Sequence, residues 1–299
     1  MPLYTTEELL AWIAERNRTV HVSIRKNRLE DSEDWYYNEA GGYIENRNKS
    51  FFRVMGMQEL VDGQVVSEQP IIIQNEIGYL GILCRRINGE MHCLMQAKIE
   101  PGNINHIQIS PTIQATKSNF TQKHKGDKPP YLDCFLNASK YRIVVDQIQS
   151  EQSSRFYKKR NRNIILEVDE DVPVLPSHRW MTVGQLKELM RHDNLVNMDT
   201  RTVLSCLPLG EYIDELKDPA LKRSAEGTGK NILPEIYQYI NNYKMFDESS
   251  YRLVPLYSLK NWQMRDGEFV CDRPYSFKVV FCDIEIEGRE VRHWTQPLF

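Results

Sequence analysis

YLGILCRRINGEMHCLMQAK, residues 79–98, is the stretch on which the fold turns. Two β-prone runs flank Asn88-Gly89, and Asn-Gly between such runs is the chemistry of a two-residue hairpin turn with positive φ at both positions. The spacing predicts strands over about 79–87 and 91–99. Alternation then puts Cys93, Met95 and Ala97 on one face, with His92, Leu94, Gln96 and Lys98 on the other. The second face becomes more polar toward the strand's end. After the turn Glu100-Pro101-Gly102-Asn103 the chain fills with short hydrogen-bonding side chains: Ser110, Thr112, Gln114, Thr116, Ser118 and Asn119. From 110 to 116 the even positions are polar and the odd ones apolar, so one strand would carry a ladder of neutral donors and acceptors. Such a ladder is either a solvated edge or the floor of a pocket for a hydroxyl-rich ligand.

Around this centre, Thr5-Thr6-Glu7-Glu8 has capping-box spacing ahead of Leu9, Leu10, Trp12 and Ile13, which predicts a helix to about Asn17. A second box, Thr182 to Gln185, opens a helix toward His192, and a further helix starts near Asn197 or Asp199 and stops at Pro208. Ile164–Val168 reads as a buried strand. It follows the densest basic cluster, Arg155, Lys158, Lys159, Arg160 and Arg162, which is either a solvated face or an anion site, since arginine suits bidentate phosphate recognition. Residues 211–231 read as a linker. Gly227-Thr228-Gly229-Lys230 within it lacks the spacing and preceding strand of a phosphate loop.

Beyond the linker the opening of the chain returns. Phe52, Val54, Gly63 and Val66 find Phe277, Val279, Gly288 and Val291. Upstream, Trp35 and Gly42 find Trp262 and Gly267, and the first helix finds the apolar-striped segment 232–244. The order and near-constant offset, about 225 residues, indicate an internal tandem repeat whose second copy stops where the first begins its hairpin.

The 299 residues carry a net charge of −3 and six scattered cysteines, at 84, 93, 134, 206, 271 and 282. Near-neutral charge argues against nucleic acid and an anionic membrane, and no apolar run is long enough to span a bilayer. Cysteines without CxxC pairs fit a reduced, cytoplasmic protein.

QAKIEPGN, QISPTIQATKSNF, SEQSSRFYKKRNRN, RWMTVGQLKEL and VNMDTRTVLSCL together resemble the NDP-hexose 2,3-dehydratases of deoxysugar biosynthesis. The match covers 1 to about 208 as a full module and 232–299 as the start of a second. The resemblance implies a mixed α/β (α+β) fold, Nudix-like, with a curved sheet and flanking helices. It divides the chain into 1–210, a linker at 211–231, and 232–299. It also implies a dTDP-4-keto-6-deoxyhexose substrate that loses water across carbons 2 and 3. The ketone acidifies the hydrogen on carbon 3, so a base, an acid and enolate donors suffice, without a cofactor. With no HxH, HExxH or Nudix-box pattern, metal-dependent hydrolysis is not expected.

Carried over by position, the family signature falls on Gln96, Lys98, Glu100, Thr112, Gln114, Thr116, Ser118 and Asn119, and on Glu151, Arg155, Tyr157, Asn161 and Arg162. On that reading Arg155 and Arg162 take the diphosphate, and Gln114, Ser118 and Asn119 take sugar hydroxyls. Lys98 stabilises the enolate, and Glu100 is the base or else only the anchor of its turn. His106 and His124 lie outside the signature. The segment 232–299, apolar and aromatic but too short to close a core of its own, is expected to be covered by protein in a homodimer, by module one of the neighbour in preference to module one of the same chain; the resemblance also implies dimers. The alternatives are a nucleotide-sugar-binding module that has lost turnover and a nucleic-acid binder using 155–162.

Overall fold

The computed structural model describes residues 2–121, 127–208, 219–227 and 232–299 of the chain. His124, most of the expected linker and Thr228, Gly229 and Lys230 lie outside the described residues.

Helix α1 (Thr6–Thr19) opens the chain with Thr5 and Glu8 in a reciprocal capping box, and it buries Leu9, Trp12 and Ile13. Strand β1 (Val22–Asn27) follows, then the hairpin β2 (Trp35–Asn38) and β3 (Tyr43–Asn46), then the long hairpin β4 (Arg53–Val61) and β5 (Gln64–Ile73). The expected central hairpin is β6 (Gly78–Ile87) and β7 (Glu90–Ile99), turning through Asn88 and Gly89 at φ 53° and 76°. Positive φ at both is the conformation that Asn-Gly favours.

The polar run does not form one strand. It divides into β8 (Ile107–Ser110), paired with β7, and β9 (Ile113–Ala115), paired with β6. Pro111 lies at the break, where a residue without an N–H cannot continue a ladder. Hairpin pairing between β6 and β7 ends at Leu83 and Leu94, and the strands splay beyond it. Thr112 closes that fork: its hydroxyl accepts from the Leu83 N–H at 2.8 Å and donates to the Leu94 carbonyl.

Short helices α2 (Lys117–Phe120) and α3 (Leu132–Leu136) lead to β10 (Arg142–Ser150), β11 (Arg160–Glu167) and β12 (His178–Thr182). These complete a mixed seven-stranded sheet, β10-β11-β6-β7-β12 with β8 and β9 alongside, in which β11 runs parallel to β6. Helices α4 (Val183–Leu189) and α5 (Met198–Ser205) start at Thr182 and Asn197, each with its side chain capping the first turn. One sheet face packs Cys93, Met95, Ala97 and Ile165 against α1, α4 and α5, and the other packs Leu94, Ile164 and Leu166 against Phe135. The face predicted to carry Cys93, Met95 and Ala97 lies in the first core, and Leu94 of the opposite face enters the second. The architecture is mixed α+β, and no helix among the described residues is long and apolar enough to cross a membrane.

After α6 (Pro219–Glu226), the elements α7 (Ile232–Phe246), β13 (Ser250–Val254), the hairpin β14 (Trp262–Arg265) and β15 (Glu268–Cys271), and the hairpin β16 (Val280–Ile286) and β17 (His293–Leu298) repeat the order of the first six. The two runs exchange strands. Strand β1 pairs with β16 and β13 pairs with β4. The contacts around the exchange are reciprocal: Trp35 donates its indole N–H to the Thr295 carbonyl at 2.7 Å, and Trp262 donates to the Glu68 carbonyl at 3.2 Å. Leu29, Trp35, Ile44 and Val54 share one core with Leu256, Trp262, Phe269 and Phe281. Residues 250–299 are therefore covered by the same chain rather than by a neighbour, because the free edges of β1 and β4 lie within their reach. Helix α7 buries no residue.

Candidate active site

A cavity of about 600 Å³ opens where β6 and β7 splay, bounded on its far side by the β2–β3 hairpin and the segment 289–296. That volume lies in the usual range for small-molecule sites. Gly78 forms part of its lip, and a Cβ there would sit 2.9 Å from the Ala115 carbonyl, so a larger residue would force the two strands apart. Trp35, Phe51, Phe52 and Trp294 provide aromatic wall. Phe51 holds φ at 70°, a conformation costly for an aromatic residue and one that concentrates at functional sites.

Seven of the sequence-derived residues line the cavity: Lys98, Glu100, Gln114, Thr116, Asn119, Glu151 and Asn161. Lys98 is 6% exposed and its ammonium donates to the Gln114 carbonyl at 3.0 Å and to Glu100 at 2.8 Å. Glu100 also meets Arg289 at 3.2 Å. Burial alone would raise the Glu100 carboxyl, but the charges of Lys98 and Arg289 outweigh it and hold the group at about 2. Glu151 accepts a hydrogen bond from the Asn161 amide, and the Thr116 hydroxyl donates to Asn119 at 3.2 Å.

The other six sit elsewhere. Thr112 is the interior staple of the fork. Ser118 is buried and bound through its N–H and hydroxyl to Glu76. Gln96 is half-buried on β7 opposite Ser110. Arg162 grips Asp146 through two bonds of 2.6 and 2.7 Å, and the Arg155 guanidinium stands 4.0 Å over the Phe277 ring. Tyr157 donates its backbone N–H to Ile72, with Lys158 over its ring. His106 is exposed in its turn. Of the basic cluster, only Lys159 reaches the cavity. It is 5% exposed, it donates to the Glu76 carbonyl, and burial lowers its pKa.

Sequence reasoning missed Arg289, His293 and Asp199, which also line the cavity. Asp199 occupies the first turn of α5. Burial, with the nearby charge of Glu151, pushes its carboxyl up to about 7, against the opposing pull of Lys98 and Lys159. The sequence signal for it was its place in VNMDTRTVLSCL, one of the motifs carrying the resemblance. Among the described residues, no three His, Cys, Asp or Glu side chains gather to hold a metal ion.

The family model described as NDP-hexose 2,3-dehydratase matches residues 6–207 and 233–299. A dTDP-4-dehydro-6-deoxy-alpha-D-glucopyranose 2,3-dehydratase of Saccharopolyspora spinosa is 41% identical over 98% of this chain and 63% of its own length. Proteins of the same name from Streptomyces violaceoruber and Amycolatopsis orientalis are 38% and 35% identical, over 100% and 98% of this chain and 67% and 61% of their own. The chain thus spans a little under two thirds of the length of most of the curated relatives it matches. On the breadth of the family match and the level of identity, this chain belongs to the NDP-hexose 2,3-dehydratase family.

Proposed function

We propose that the chain removes water across carbons 2 and 3 of a dTDP-4-keto-6-deoxyhexose, and the observation that carries this is the buried Lys98, held at the cavity floor with one donor to spare. An ammonium has three N–H donors, of which two are engaged. A base takes the carbon-3 proton, and its electron pair moves toward the ketone to leave an enolate oxygen. Lys98 stabilises that charge in a site screened from water. When the ketone reforms, carbons 2 and 3 become double-bonded and the 2-hydroxyl leaves with a proton as water. A carboxylate held at about 2 is a weak base, so the part of Glu100 is to orient Lys98.

Lys159 and Arg289 take over the diphosphate role expected of Arg155 and Arg162, whose charges are engaged outside the cavity. Gln114, Thr116 and Asn119 face the sugar hydroxyls, and the aromatic wall takes the base. Incubation with dTDP-4-keto-6-deoxyglucose is expected to give a product lighter by one water, with EDTA present as without it. Binding without loss of water would instead support the nucleotide-sugar-binding module.

The same reading takes the fold as Nudix-like, the chain as a cytoplasmic tandem duplication, and its parts as 1–210, 211–231 and 232–299. The like order of elements and the reciprocal Trp35 and Trp262 bonds support the duplication. A homodimer is supported by α7, which leaves Ile232, Leu233, Ile236 and Tyr237 exposed together. Mass in solution is expected at twice that of the chain, and a monomer at micromolar concentration would count against it.

A further inference from the structure

Elimination needs a group that gives up and regains a proton, and the cavity holds five carboxylates. Glu100 is ion-paired to Lys98 and Arg289, and Glu290 lies 3.6 Å from Arg289. Asp34 accepts from the Thr295 N–H and hydroxyl, and Glu151 accepts from Asn161. The Asp199 carboxylate alone forms no hydrogen bond or ion pair among the described residues. Its backbone is nonetheless held firmly. Asn197, capping the same turn, donates to Ser110 at 2.9 Å and to the Gln114 side chain at 3.3 Å, and the Thr200 hydroxyl donates to the Ile109 carbonyl. Asp199 is thus a carboxylate carried on a firmly held turn and without a bonding partner among the described residues, which suits a proton carrier.

We propose that Asp199 is the catalytic acid–base of this site, taking the proton from carbon 3 and returning it to the departing 2-hydroxyl. The proposal rests on the dehydratase reading above. In a gluco-configured ring the carbon-3 hydrogen and the carbon-2 hydroxyl lie on the same face, so one carboxylate reaches both. The carbon-3 C–H bond breaks toward Asp199, and its electron pair becomes the enolate held by Lys98. Return of that pair expels hydroxide from carbon 2, which takes the proton from Asp199 and leaves as water, restoring the carboxylate. Glu151 from the end of β10, Lys159 ahead of β11, and Lys98 and Glu100 from β7 set its charge environment, and the resulting position near 7 matches a group that must accept and donate in one cycle.

The test uses the whole chain and dTDP-4-keto-6-deoxyglucose deuterated at carbon 3, reading loss of the label and loss of water separately. In Asp199→Asn both are expected to fall together by about 1000-fold, while affinity for dTDP stays within about threefold. A variant within about tenfold of the parent overturns the proposal, as does one that still loses the label but not water, since two groups would then share the work. Should the amide variant lose dTDP binding, Asp199→Glu decides: restored turnover supports the carboxylate, and dTDP binding without turnover overturns it. If the parent chain itself releases no water, the dehydratase reading falls and takes the assignment with it.

Discussion

Removal of residues 232–299 is expected to abolish both dTDP binding and cooperative unfolding. The truncated chain would lose eight large side chains from shared cores: Leu256, Leu259, Trp262, Phe269, Val279, Phe281, Ile284 and Ile286. Leu29, Trp35, Ile44 and Val54 would lose their cover, at about 1.5–3 kcal/mol for each side chain fully exposed, a loss comparable with a whole-domain stability of about 5–15 kcal/mol. The edges of β1 and β4 would also be bared, a template for aggregation. Soluble yield, thermal unfolding and calorimetric titration with dTDP check it. A soluble shortened chain that melts cooperatively and binds dTDP at parental affinity would show that the second run of elements is dispensable.

The second large effect is expected at Lys98. Replacement by Met keeps the length of the side chain and removes the charge proposed to hold the enolate oxygen, so kcat should fall about 100- to 1000-fold, with KM changed little. Arg289 still faces Glu100, so that carboxylate is not left as an unpaired buried charge. Turnover and dTDP affinity, measured side by side, separate this outcome from simple loss of structure. A variant that keeps a tenth of parental kcat would remove Lys98 from the chemistry.

The local features were legible where a short motif fixes a backbone conformation. Asn88-Gly89 specified its hairpin, and Thr5 and Thr182 specified two helix starts, because turn and cap chemistry acts over four residues. Alternation along β7 separated its two faces correctly, whereas Glu100, in the turn beyond it, was singled out by the resemblance. The 110–116 ladder misled because Pro111 lets the chain cross from β7 to β6, which turns Thr112 inward. The cations were legible only as a cluster: Arg155, Lys159 and Arg162 look alike in sequence, and tertiary partners decide that Lys159 alone faces the cavity. Arg289 and Asp199 were missed because each reaches the site from an element distant in sequence. The matched tryptophans and glycines lie in two runs of elements of like order, but they carried no sign that the two runs would trade strands.

That trade has a consequence for how the protein is made. On a ribosome, β1 emerges roughly 260 residues before β16, the strand it must pair with. At about 5–20 residues per second, its edge waits on the order of 13–50 seconds for its partner. During that interval the nascent chain presents Val22 and Ile24 on an unpaired strand. Arg25 and Lys26, in the same strand, are the kind of charge that discourages a neighbouring chain from pairing first. The hairpin β16–β17 both completes a wall of the cavity and ends that wait, so the cavity can close only once β17 has been synthesised.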